Sequence, residues 1–468
     1  MRVFADVGTA AKRQCGLTLI ELMVAMVLGL LVAAGIVTVF ASTSSSNKAQ
    51  NQLARLQEEG RYAITRLSAD LRMANGQYCT NTGGVAKPGA GGMYLDHLRS
   101  PKVYASNLVV ATGAISGALS DVSTAWGSAS GSGGTYPAKP TAAYSMPSFL
   151  FMRGYDCALT SCAPVNPTLA GLPAMGTGVG SRVKGTDVIS VRYINPSSGW
   201  AIGGAGNSAI AASSSAGAIN TIQLVQNVAA NEPPVSNFAA TDLVLLADCS
   251  NAQIFAVGAV AGGLLSVPGG LNYAGSGPAA QQPESAPKVF DFNRDFQTVT
   301  YYLRVVSVNN DGKAPLTGAL IRRVNGGLKA DGITPARPGA SEDELLRGIE
   351  RLDFKYGVED ASGNTSFLAA NQVDASTNCP PAELDVLTPT TGCLWRGIKS
   401  IEVSVLMDGQ LPLYTLSGND LYYSYSSDAN AGLLAPSAHA IRPTDQGFSD
   451  PMLRREFNAL VAIRNYNP

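Results

Sequence analysis

The sequence predicts an α+β protein: one long N-terminal α-helix, apolar in its first half and amphipathic in its second, packed on an antiparallel β-sheet head with long loops. Three observations carry that expectation. Residues Leu22 to Phe40 are nineteen in a row without a charge, apolar residues then recur at helical spacing as far as Met73, and beyond Gly76 the spacing shortens toward two.

The first half of the helix has membrane length. A spanning helix needs about 20 mostly apolar residues, and Leu17 to Phe40 supplies them with only Thr18, Glu21 and Thr38 as polar exceptions. A charge at a helix centre in lipid costs roughly 2.5 to 3.5 kcal/mol on insertion scales, so Glu21 calls for an explanation, the bland one being headgroup depth. Arg2, Lys12 and Arg13 precede the span against Asp6, which the positive-inside rule reads as a cytoplasmic N-terminus. An ordinary secretory signal ending near Val39-Phe40-Ala41 competes. The apolar run is long for one, and Glu21 interrupts it.

The second half is read from a stripe. Leu53, Leu56, Ile64, Leu67 and Leu71, with Gly60 filling the gap, share one helical face, while Arg55, Glu58, Glu59, Arg61, Arg66, Asp70 and Arg72 fall mostly off it. Asn75-Gly76 supplies a stop. One helix from Leu17 to Met73 is 57 residues, about 85 Å at 1.5 Å each. The expected organisation is residues 1–16 ahead of the span, 17–40 as the span, 41–75 as the amphipathic half and 76–468 as the head.

Strands rich in Val, Ile, Tyr and Leu are predicted at Asp187 to Ile194, Thr241 to Asp248, Gln253 to Val257, Thr298 to Val306, Arg351 to Gly357, Ile398 to Leu406 and Phe457 to Ile463. Val299, Tyr301, Leu303 and Val305 alternate with more polar neighbours, the pattern of an antiparallel sheet with one wet face. Ala111 to Tyr144, Pro196 to Asn220 and Gly258 to Ala286, dominated by Gly, Ala, Ser and Pro, read as loops.

Charged residues are 14% of the chain, against about 25% in a typical soluble domain. Without residues 1–16 the balance is 30 basic to 33 acidic residues, which carries no nucleic-acid footprint. Of the seven cysteines, six follow residue 16. In an oxidising compartment six cysteines suggest three disulfides, with fifteen connectivities open. Cys157 with Cys162 and Cys379 with Cys393 are close enough in sequence to close locally, leaving Cys79 and Cys249 as a staple between helix and sheet.

Enzymatic constellations are sparse. His97 and His439 sit in loop-like sequence, there is no P-loop, no CxxC, and Gly176, Gly178 and Gly180 lack the helix that a nucleotide loop needs. No cofactor and no catalytic residue is expected. Asp311 in Asn309-Asn310-Asp311-Gly312, and Glu359-Asp360 near Gly363-Asn364, are weak calcium candidates, neither completing a twelve-residue loop.

Gly16-Leu17-Thr18-Leu19-Ile20-Glu21, opening a long Leu/Val/Ala/Met helix, resembles the prepilin signature of type IV pilins and type II secretion pseudopilins. Leu71-Arg72-Met73 leading to Cys79, Thr241 to Ser250, Tyr301 to Arg304, Glu350 to Gly357 and Arg454 to Asn465 resemble, in scattered motifs, the PilW family of minor type IV pilins. The resemblance implies cleavage by a prepilin peptidase between Gly16 and Leu17, which makes residues 1–16 a leader that takes Cys15 with it, N-methylation of Leu17, and an assembly role for Glu21. Leu17 departs from the Phe usual there. The amine gained by Leu17 lies within a helical turn of Glu21, and in a low dielectric a neighbour's amine would attract that carboxylate strongly. The family further implies an inner-membrane protein with a periplasmic head, later part of a pilus, with other minor pilins, the major pilin and a tip adhesin as partners. A minor pseudopilin, a DNA-uptake pilin and a membrane-anchored hydrolase are the rival readings.

Overall fold

The computed structural model describes residues 18–76, 86–89, 92–95, 102–103, 126–138, 140, 142–150, 152–167, 172–202, 209–212, 218–247, 252–272, 287–329, 331–379 and 387–464. Two compact units divide the chain, Met1–Ala54 and Arg55–Pro468, and helix α1, Leu19–Leu71, is continuous through the boundary. In the first unit every side chain from Thr18 to Thr43 is exposed, as an apolar stripe all round a helix requires of its surroundings rather than of its own chain.

The second unit is built on two antiparallel sheets. Their strands are β1 (Met152–Cys157), β2 (Val188–Ile194), β3 (Phe296–Ser307), β4 (Leu316–Val324), β5 (Ser341–Arg347), β6 (Ile349–Glu359), β7 (Thr365–Leu368), β8 (Ile398–Asp408) and β9 (Arg454–Ala462). The first sheet runs β5-β4-β3-β2-β1 and ends on the short strand Cys162–Ala163; the second runs β7-β6-β8-β9. β-branched and aromatic residues at alternate positions make these pleated surfaces. Leu56, Ala63, Leu67 and Leu71 of α1 enter one core with Ile189, Val191, Val299, Tyr301 and Leu320 of the first sheet. Leu352, Phe354, Val403 and Val405 of the second sheet complete it. Burying one such Leu contributes about 1.5 to 3 kcal/mol.

Gly60 fills the gap in the stripe for a physical reason. A Cβ there would stand 2.5 Å from the Phe457 ring, so only glycine lets β9 reach the helix at this point. The helix stop also falls as predicted: Asn75 takes a left-handed φ of 62°, and its N–H donates to the Arg192 carbonyl of β2 at 3.0 Å.

Three expectations need correction. The sheet has no wet face at its centre, because every residue of β2 and nearly every one of β3 is buried. Tyr302 and Val306 of β3 are covered on the far side by Tyr155, Val188 and the Cys157 and Cys162 side chains. Pro196 to Asn220 and Gly258 to Ala286 are not loops throughout: they hold Trp200–Ala201, Ala209–Ala212, the start of Ala218–Gln223, and Leu264–Asn272. Trp200–Ala201 joins Lys288–Asp291, Leu243–Ala247 and Ala252–Ala256 in a six-stranded sheet, and the other three form a four-stranded sheet with Val260–Ala261. A second core of Trp200, Ile222, Leu246, Phe255, Leu265 and Val289 lies among them, and tertiary pairing overrides the weak local preference of Gly- and Ala-rich sequence. Asp70 is the third correction: it is buried, not off the stripe.

Candidate functional site

Gly16 and Leu17 lie outside the described residues, and the motif's visible part is Thr18 and Glu21. The Thr18 N–H and its hydroxyl both donate to Glu21 Oε2 at 2.9 Å, and the Glu21 N–H donates back to Thr18 Oγ1 at 3.2 Å. This is a capping box: Thr at the N-cap and Glu three residues on satisfy each other's backbone donors. Sequence reading passed over it, although Thr-x-x-Glu is its signature. The carboxylate is thus held by its own helix terminus. Farther along, the Thr38 hydroxyl donates to the Ala34 carbonyl at 2.8 Å, so the polar atom inside the apolar run is satisfied locally. By length and composition α1 can cross a membrane.

In the second unit, buried carboxylates gather donors from distant segments. Asp70, in the last turn of α1, accepts from Tyr193 of β2 at 3.0 Å, Tyr301 of β3 at 2.5 Å and Arg322 of β4 at 2.6 Å. Burial pushes its carboxyl up, but the Arg322 guanidinium and the two phenols outweigh that and hold it below its ordinary value. Asp374 accepts from Ser130 and Tyr136 at 2.7 Å, from Trp395 Nε1 at 3.0 Å and from Arg153 at 3.2 Å. Asp187 bridges the two sheets, taking the N–H of Cys157 at 2.9 Å and that of Phe354 at 3.0 Å. Burial, then the charges of Asp353 and Asp156, push its carboxyl well up. Glu350 and Arg454 form a bidentate pair at 2.6 and 2.9 Å with both side chains buried. A chain poor in charge has placed much of it inside, where each group is paired or hydrogen-bonded.

The remaining candidates fall into structural roles. Cys157 and Cys162 face each other across a two-strand ladder and are disulfide-bonded. Cys379 and Cys393 are bonded too. Cys79, Cys249 and His97 lie outside the described residues. Asp311 accepts from the Ser307 hydroxyl and the Lys313 N–H, which hold its carboxyl down. Asp360 is held down by the N–H groups of Asn364 and Ser362 across its turn, and Glu359 pairs with Lys399. Among the described residues no three His, Cys, Asp or Glu side chains are grouped to hold a metal. Gly176 lies in a two-residue strand, Met175–Gly176, that pairs with Arg182–Val183, so a strand rather than a helix follows the glycine run.

His439 is buried, stacked on Tyr423, with Nδ1 2.7 Å from Asp428, which also takes Arg351 at 3.1 Å. Its Nε2 meets no hydrogen-bond partner among the described residues. Asp428 thus holds one ring nitrogen and the Tyr423 ring fixes the plane of the imidazole.

Residues 11–37 match the family model of the prokaryotic N-terminal methylation motif. Residues 300–465, from within β3 through β9, match that of type IV pilus-assembly protein W. No curated protein and no solved structure matches the chain. With a methylation motif at the head of an apolar helix and a PilW match over its C-terminal third, the chain is similar to the PilW-like type IV minor pilins.

Proposed function

We propose that the chain is a minor pilin that takes part in starting or capping a type IV pilus and is incorporated in it, supporting adhesion or twitching motility. The observation that carries this is the joining of the methylation motif and bare apolar helix to a head of nearly 400 residues with a PilW match. So large a head is hard to repeat along a packed filament, which favours a scarce subunit. After the peptidase cuts between Gly16 and Leu17, the span rests in the inner membrane with the head in the periplasm. It then enters a small complex with other minor pilins, contacts the major pilin and carries a tip adhesin. Residues 17–40 would exchange lipid for the apolar filament core, and Glu21 would exchange its Thr18 cap for a neighbour's terminal amine.

Two variants test this reading. Gly16→Ala is expected to leave the leader in place, read as intact mass. Glu21→Ala is expected to insert in the membrane yet be lost from sheared pili. Normal pilus content of Glu21→Ala would overturn the assembly role of Glu21, and a deletion strain that loses protein secretion while keeping its pili would favour the type II secretion assembly instead.

A further inference from the structure

The two core sheets have four outer strands, and three carry a feature that discourages further pairing. β5 bears Glu342, Asp343 and Glu344 and breaks register against β4. Cys162–Ala163 is two residues long and disulfide-bonded, and β7 has four residues. Charges, bulges and short length are the usual protections of a sheet edge. β9 has none of them from Phe457 to Ala462. That stretch reads Phe-Asn-Ala-Leu-Val-Ala, without charge, Pro or Gly, and its nine-residue register against β8 is unbroken.

The ladder's parity shows which groups are free. Ile463 N–H donates to the Lys399 carbonyl at 2.8 Å, so residues 455, 457, 459 and 461 turn their backbone groups to β8. Glu456, Asn458, Leu460 and Ala462 turn theirs outward, where no strand pairs with them among the described residues. The core is also incompletely covered here. Phe457 and Ala459 are only half-buried, although Val405 and Val403 opposite them are fully buried. On the other face Leu460 is 63% exposed.

We propose that the open edge of β9 accepts an extended strand from a neighbouring pilin-type subunit, apolar at alternate positions and acidic where it meets Arg455. Main-chain bonds to residues 456–462 supply the affinity and alternate side chains the selectivity. The apolar positions of the incoming strand cover Phe457 and Ala459. Exposed Arg455 flanks the segment and suits an acidic residue in the donor, while Glu456 beside it is already taken by the Ser426 N–H and hydroxyl.

This inference rests on the assembly reading above, and its test separates the two. Hydrogen exchange is compared between full-length protein in detergent and the co-purified minor-pilin complex. About four amides, those of 456, 458, 460 and 462, should slow at least tenfold in the complex, while those of 457, 459 and 461 are slow in both. Leu460→Pro removes one outward N–H and leaves the β8 ladder intact, so incorporation should fall about tenfold; Leu460→Ala, which keeps the N–H, should lower it less than about twofold. Arg455→Glu, exposed and outside the apolar stretch, should reduce incorporation about threefold or more even if the proline variant fails to fold. Wild-type protein absent from any minor-pilin complex would overturn the functional reading. Wild-type protein in the complex with its outward amides still fast would overturn the edge alone. Slowing in the isolated protein as its concentration rises would identify a second copy and overturn the donor proposed.

Discussion

Replacing Asp70 by Asn tests whether the ion pair fastens the helix to the sheet. The variant keeps the side chain's shape but leaves Arg322, 13% exposed, without a counter-charge, and gives Tyr193 and Tyr301 one acceptor oxygen between them. Breaking a buried pair from one side costs about 3 to 5 kcal/mol. The residual exposure of Arg322 places the expected loss near the lower end, about 3 kcal/mol, a large share of the roughly 5 to 15 kcal/mol that holds a domain folded. Urea unfolding of the detergent-solubilised full chain reads this directly, since Trp126, Trp200 and Trp395 all lie beyond the helix. The pH dependence adds a second arm. Asp70 titrates below its ordinary value when folded, so its contribution is complete above the unfolded carboxylate range and fades as pH falls through the lowered value. The gap between wild type and Asp70→Asn should therefore close on acidification. A loss under about 1 kcal/mol, or a gap that persists in acid, would refute the fastening role.

Gly60→Ala should destabilise by about 1 to 3 kcal/mol through the clash with the Phe457 ring, and Phe457→Ala in the same chain should relieve the clash, as a double-mutant cycle would read. Asp408 is buried beside Glu350, and burial first, then that charge, pushes its carboxyl up to about 7. It therefore favours the folded state less as pH rises from about 4 to about 7, by at most about 1.4 kcal/mol per pH unit, and Asp408→Asn should remove that slope. Removing the Cys379–Cys393 bond, which closes a 14-residue separation, should cost about 3 kcal/mol in urea unfolding without reductant.

The sequence made the helix legible because a 3.6-residue stripe and an Asn-Gly stop are local signals. Strands β2, β3, β6, β8 and β9 were legible through alternation of large apolar residues. β4 and β5 were not. Arg322 and Arg323 interrupt β4, and β5 opens Ser-Glu-Asp-Glu, held in the sheet by its ladder and by Arg304, which meets Glu342 at 2.8 Å. The anchoring carboxylates escaped for a related reason. Asp70 finds its partners 123, 231 and 252 residues away, and no window of sequence contains such a pairing. Its position three residues after Leu67 and seven after Ala63 was nonetheless a hint that it faces the core. At the N-terminus the methylation motif was legible in the sequence and its family model matches there, whereas the Thr18 cap was passed over although its Thr-x-x-Glu spacing is equally local.

The fastening of α1 also defines a route for mechanical load. Tension along α1 beyond Arg55 meets the sheets first through Leu56 and Gly60 and last at the final turn, where Asp70 grips three successive strands, β2, β3 and β4. One residue cluster farther on, Asn75 N–H meets the Arg192 carbonyl and Ile194 N–H meets the Gly76 carbonyl at 2.7 Å. Pull is thereby divided among parallel attachments that must fail together instead of being peeled one by one.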